Sequence, residues 1–95
     1  MKNNEIMQLH AVFFGKVQGV FLRHHIKLYA DEIGVVGGVR NLDNGSVELI
    51  AQGDLNSLNL LLENILQKPG KGHIDRVEKA FKKTLSQYND FSIWL

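Results

Sequence analysis

The order of periodic segments predicts an α/β (α+β) fold, the ferredoxin-like βαββαβ sandwich. Stretches that alternate apolar and polar residues read as strands, and stretches with apolar residues every three or four positions read as helices. They follow one another as strand, helix, strand, strand, helix, strand. This order gives a mostly antiparallel sheet with two helices on one face. A short apolar tail adds an extra C-terminal strand. The length of 95 residues suits one domain with a modest core, placed at residues 7–95 behind a flexible N-terminal arm at 1–6.

Each element has its own signal. Met7 to Phe14 alternates Met7, Leu9, Ala11 and Phe13 with Gln8 and His10, a half-buried strand. Val12 and Phe14 imply that its end is covered on both faces. From Leu22 the period changes, with Leu22, Ile26, Tyr29, Ala30 and Ile33 on one helical face and Gly34 as the stop. Val35-Val36 and Val39-Arg40-Asn41 form the second strand around Gly37-Gly38, a glycine pair that marks a bulge or a close approach. Asp43-Asn44-Gly45 is a hairpin turn, and Ser46 to Gln52 is the returning strand. Asp54 caps a second helix with the stripe Leu58, Leu61, Leu62 and Ile65, ended by Pro69-Gly70-Lys71-Gly72. Ile74 to Thr84 reads as a strand with poor alternation. Its Lys79, Lys82 and Lys83 suit a solvated edge that discourages aggregation. Phe91 to Leu95 is the tail, expected to pair at a sheet edge.

Composition narrows the function. Apolar content of 44% and charged content of 22% are ordinary for a soluble globular protein. A net charge of +1 gives no reason to expect a nucleic-acid or membrane-surface binder. The chain has no cysteine, which removes disulfides, thiolate metal sites and thiol nucleophiles. No apolar run reaches membrane-spanning length and the first residues are polar, so a cytoplasmic protein is expected.

The stretch Gly15-Lys16-Val17-Gln18-Gly19-Val20-Phe21-Leu22-Arg23 joins the first strand to the first helix. No Ser, Thr, Asp or Asn stands in the capping place, so the first helical N–H groups lack a side-chain acceptor. Arg23 lies in the first turn and Asp31 and Glu32 near the far end, an order that opposes the helix dipole. Uncapped donors, a glycine loop and a cation in that turn are what an anion needs, although water capping fits these residues as well. The stretch lacks the Lys-Ser or Lys-Thr of a P-loop and the third glycine of a dinucleotide fingerprint. Asn41 ends the second strand, which runs back toward that loop. Its amide suits a water beside a bound anion, and equally suits a turn.

These residues resemble a known family. Gly15-x-Val17-Gln18-Gly19-Val20-x-x-Arg23, followed by Val39-Arg40-Asn41-x-x-x-Gly45-x-Val47 and Gly53, is similar to both signatures of the acylphosphatases. The resemblance implies an α/β sandwich and hydrolysis of acyl phosphates, the mixed carboxylic–phosphoric anhydrides, without metal or cofactor. It implies that Arg23 binds the phosphate, Asn41 orients the water, and the backbone around Gln18, Gly19 and Val20 cradles the phosphoryl oxygens. Inorganic phosphate or sulfate is then the expected competing anion, and a monomer the expected state. Leu22 stands where the family usually has Phe or Met, and Gly38 where it usually has an aromatic residue, while Lys16 replaces a more usual arginine. The first two changes bear on rate and acyl preference rather than on reaction type.

The chemistry fits the residues on its own terms. An acyl phosphate is activated and dianionic, so it needs positioning and charge neutralisation more than a strong base. A guanidinium offers a planar fork of donors to phosphate oxygens. His10, His24, His25 and His73 show no zinc-type spacing and read as solvated or structurally bonded. Ser46, Ser57, Ser86 and Ser92 sit in no nucleophile motif, and Phe13, Phe14 and Tyr29 read as core or pocket wall. RNA-recognition domains share the element order, but Val47 to Gln52 carries none of their aromatics. The competing reading is a catalytically weak or inactive acylphosphatase-like module that binds an anion or a partner.

Overall fold

The computed structural model describes residues 6–85 and 87–95. It contains β1 (Ile6–Lys16), α1 (Leu22–Ile33), β2 (Val36–Asn41), β3 (Val47–Gly53), α2 (Leu55–Gln67), β4 (His73–Thr84) and β5 (Phe91–Ile93). The expected N-terminal arm lies outside the described residues except for Ile6, which opens β1. Among the described residues no helix is long and apolar enough to cross a membrane.

The strands lie side by side in the order β4-β1-β3-β2-β5. All neighbours are antiparallel except β2 and β5, which are parallel. The apolar alternation fixes the register. Leu9 faces Ala51, Ala11 faces Leu49 and Phe13 faces Val47, and all six are buried. A slip of one residue would turn each of these pairs to the other face. Leu22, Ile26 and Ala30 from α1 and Leu58, Leu61, Leu62 and Ile65 from α2 complete the core. Tyr29 and Ile33 pack partly buried against it, and the Tyr29 hydroxyl donates to the Lys68 carbonyl at 2.6 Å. The caps follow the chemistry of the sequence. Asp54 accepts from the Ser57 N–H at 2.9 Å, and the Ser57 N–H and hydroxyl hold its carboxyl below the ordinary value. Gly34 closes α1 in the left-handed conformation.

Two strand details differ from simple alternation. The register of β1 against β4 shifts between Phe14 and Gly15. There a Cβ on Gly15 would lie 2.2 Å from the His73 carbonyl oxygen, so the bulge needs glycine. The glycine pair of β2, by contrast, makes no bulge, and its register with β3 is continuous. It marks a close approach. A Cβ on Gly38 would lie 2.1 Å from the Trp94 ring, so Trp94 fills the space that a side chain there would take. Tyr88 packs beside it, with ring centroids 5.6 Å apart. The C-terminal tail is anchored on both sides of β5. The Gly37 N–H donates to the Asp90 carbonyl, and the Trp94 N–H to the Val39 carbonyl, each at 2.8 Å.

The face of the sheet opposite the helices is held by polar pairs. Glu48 accepts from Arg40 at 2.7 Å and pairs with His10 at 2.8 Å. The bond to His10, followed by Arg40, keeps the Glu48 carboxyl below its ordinary value despite partial burial. Arg76 lies 3.9 Å over the ring of Phe14, which covers the end of β1.

Two stability measurements check this packing. Gly38→Ala should cost about 1–3 kcal/mol in urea unfolding, and less when introduced into Trp94→Ala, because the ring it strikes is then gone. Glu48→Gln should cost about 1 kcal/mol at pH 7. Because folding lowers the Glu48 pKa, that contribution is present above the unfolded value near 4.5 and disappears as pH falls through the folded one. Unfolding free energies of parent and Glu48→Gln should therefore converge in acid.

Candidate active site

The loop from Val17 to Phe21 is built on two anchors. Val17 and Val20 are buried, which leaves Gln18, Gly19 and Phe21 on the outer side. Gly19 has φ 75°, and nothing lies within 4 Å of where its Cβ would be. Its backbone is therefore open. Phe21, the N-cap of α1, has φ 63° and ψ 21° and makes no side-chain cap. It is the one non-glycine residue with positive φ among the described residues. Such a conformation costs a large L residue roughly 1–2 kcal/mol. The Phe21 carbonyl accepts from the His25 N–H at 3.2 Å and pairs with His25 Nδ1 at 3.0 Å. The His25 ring in turn packs against Gly70.

Gln18 ties this loop to the β2–β3 hairpin. Its Nε2 donates to the Leu42 carbonyl at 2.8 Å and to the Ser46 carbonyl at 2.9 Å. The hairpin is closed by Leu42 N–H to the Ser46 carbonyl and by Ser46 N–H to the Asn44 side chain. Leu42 follows directly on Asn41.

A cleft of about 330 Å³ opens beside the loop, lined by Val17, Gly19, Phe21, Leu22, Arg23, His24 and Ile93. That volume is at the low end for small-molecule sites. Among the described residues the Arg23 guanidinium has no ion-pair or hydrogen-bond partner. Gly19 and Arg23 thus meet in the cleft, and Gln18 stands beside it. Val20 is buried beneath the loop, so only its backbone can face a ligand there.

Asn41 does not line the cleft itself. It pairs with Val47 and shares the helix-side face of the sheet with Val39, whose β5 partner Ile93 does line it. The two positions on β2 are about 7 Å apart along the strand. Asn41 and the loop after β1 lie at the same end of the sheet, because β1 and β2 run in the same direction on either side of β3. The Asn41 Oδ1 is buried and has no hydrogen-bond partner among the described residues. A buried acceptor left unpaired is costly in a fold that gains nothing from it.

Three histidines make contacts of their own, His10 with Glu48, His25 with the Phe21 carbonyl and His73 with Asp75, whereas His24, read from the sequence as solvated or structurally bonded, lines the cleft. Among the described residues no group of three His, Cys, Asp or Glu side chains could hold a metal ion. Sequence reasoning missed Phe21 and Ile93 as cleft residues. An aromatic residue beside the second loop glycine was a usable signal for Phe21. None existed for Ile93, whose place depends on which strand the tail joins.

Relief of strain at the N-cap is directly measurable. Phe21→Gly should melt at or above the parent temperature, since glycine adopts positive φ freely and the ring is 72% exposed. Phe21→Val should melt below it, because a β-branched residue is worse there.

Comparison with known proteins bears on the chain as a whole. The sequence pattern of the family "Acylphosphatase" matches residues 9–93. An acylphosphatase of Coxiella burnetii is 35% identical over 85 residues, covering 90% of this chain and 88% of the relative. The crystal structure of acylphosphatase from Bacillus subtilis superposes with a TM-score of 0.90 at 28% identity, covering 94% of this chain and 99% of that one. The structure of an acylphosphatase from Coxiella burnetii gives 0.84 at 31% identity, covering 99% and 100%. With the family pattern matched over residues 9–93 and relatives covering nearly the whole chain, this protein belongs to the acylphosphatase family, enzymes that hydrolyse acyl phosphates.

Proposed function

We propose that Arg23 and the backbone N–H groups of Gln18, Gly19 and Val20 hold the phosphoryl group of an acyl phosphate, while Asn41 orients the attacking water. The observation that carries this reading is the unpaired Arg23 guanidinium, which shares a cleft with the open Gly19 backbone at the uncapped start of α1. Helix N-termini favour anions through their free donors and the dipole. The guanidinium adds charge and a planar fork matched to two oxygens. The Asn41 Oδ1 accepts one proton of the water and aims its lone pair at phosphorus. The water oxygen forms the new bond to phosphorus, and the bond from phosphorus to the acyl oxygen breaks. The carboxylate leaves with that electron pair, and the water's proton passes to a phosphoryl oxygen. No protein base is required, because the leaving group is good and the barrier is lowered by charge neutralisation and alignment.

Inorganic phosphate and sulfate present the same oxygens and compete at this seat. Both sheet edges are blunted, β4 by exposed Lys79 and Lys82 and the far side by the three-residue β5. That supports a monomer. The cysteine-free composition supports a reducing compartment, and we assign the cytoplasm. An inactive anion-binding module has no specific observation in its favour, since Trp94 supplies the bulk absent at Gly38.

Acetyl phosphate hydrolysis, with phosphate inhibition measured alongside, tests the division of roles. Arg23→Ala should lower kcat/KM on the order of a thousandfold and abolish inhibition by phosphate. Asn41→Ala should lower kcat on the order of a hundredfold while phosphate still inhibits. Equal loss of inhibition in both variants would contradict separate roles.

A further inference from the structure

Two basic side chains line the cleft, Arg23 and the residue after it, His24. We propose that His24 is a second cationic ligand of the phosphoryl group, joining Arg23 as an imidazolium, so that this protein takes up its anion together with a proton. This role rests on the phosphate seat proposed above and adds to it a residue whose charge depends on pH.

Place, freedom and charge point to this histidine. Leu22 opens α1, so Arg23 and His24 both stand in its first turn, which holds no acidic residue and no side-chain cap. Both reach the cleft that Gly19 also lines. Among the described residues His24 has no hydrogen-bond or ion-pair partner, whereas His10, His25 and His73 each have one. Its ring is exposed and meets that of His25 edge-on, with centroids 6.3 Å apart. Val17, Gly19, Phe21, Leu22 and Ile93 complete the cleft lining, and none of them is charged.

No carboxylate competes for the ring. Further along α1, Lys27 and Asp31 pair with each other, and Lys27 also donates to the Phe91 carbonyl. Of the elements packed against α1, β5 has no charged residue. The one charged residue of β2 is Arg40, which Glu48 engages on the opposite face of the sheet. That of α2 is Glu63, which accepts from Gln67. The loop after α2 meets α1 at His25, through Gly70.

An imidazole changes charge between about pH 5 and 8. At a helix start the dipole disfavours the protonated ring as long as nothing negative is bound. A phosphoryl dianion in the cleft reverses that preference, because the new positive charge then faces negative charge at short range. Anion and proton binding are thereby linked, and each strengthens the other by the same factor. Above that range the seat keeps Arg23 and its main-chain donors, and below it gains a second charge.

Sulfate is the probe that tests this, since it stays a dianion throughout the range whereas inorganic phosphate changes charge itself. Its binding is measured by calorimetry, independently of turnover, at about pH 5.5 and about pH 8 in the parent, His24→Gln and His24→Lys. The parent should bind sulfate about fivefold more tightly at the lower pH. His24→Gln should bind it equally at both, with the parent's weaker affinity. His24→Lys should also bind it equally at both, with the tighter one. Persistence of the parent's pH ratio in His24→Gln would assign the titration to another group, His25 first, and would overturn the role of His24 while leaving the phosphate seat standing. Equal binding by the parent at both pH values would do the same. Absence of sulfate binding at both would remove the seat, and the role of His24 with it.

Discussion

Two hydrogen bonds from one side-chain amide hold the site together. Gln18 leaves the loop after β1 and donates to the carbonyls of Leu42 and Ser46, on the far side of β3. Without that tie, the loop and the end of β2 would be joined only through the sheet. With it, the residue after Asn41 and the residue before Gly19 are fixed to one rigid group. The roles proposed for Asn41 and Gly19 require a water and a phosphoryl group to keep their relative position to within a fraction of an ångström. A neutral amide is the suitable tie here. It satisfies two carbonyls at the base of an anion site and adds no negative charge that would oppose the substrate.

Local chemistry was legible in the sequence where short-range rules decide it. The period of Leu22, Ile26 and Ala30, the Asp54 cap, the Asp43-Asn44-Gly45 turn and the missing cap at α1 all appear as the residues dictate. Arg23, Asn41 and the glycine loop stood out for the same reason. What the sequence hid is set by distant contacts. The tail carried no sign that it pairs with β2 in parallel, nor that its Ile93 reaches the cleft. Nor did a glutamine in a loop announce two carbonyl partners on another hairpin. The positive φ of Phe21 was invisible because propensity would assign that conformation to glycine, and here the surrounding contacts override it.

The glycine pair in β2 shows how a departure from the family's pattern can be compensated at a distance. The sequence offered a bulge or a close approach, and Trp94 decides between them by lying over Gly38. The tail is then more than an added edge. Its main chain extends the sheet on both sides of β5, and its indole covers the bare stretch of β2 beside Tyr88. Ile93, the residue before Trp94, alternates to the opposite face and lines the cleft. The short tail from Phe91 to Trp94 therefore closes the back of β2 and lines the mouth of the cleft.

Among the described residues Arg23 stays unpaired. An arginine beside a carboxylate would have its donors occupied and its charge cancelled before substrate arrived. Ion pairs among the described residues include Arg40 and His10 with Glu48 on the opposite face, Lys27 with Asp31 within α1, and His73 with Asp75 and Arg76 with Glu78 on β4. Around the cleft the other lining residues are Val17, Gly19, Phe21, Leu22, His24 and Ile93, with no carboxylate among them. The positive charge of the guanidinium is therefore left uncancelled. The same absence leaves the helix start without an internal acceptor. The fold thus leaves a guanidinium and an uncapped helix start together at one place, with Ile93 of the tail beside them, and that is the arrangement on which the proposed phosphate seat rests.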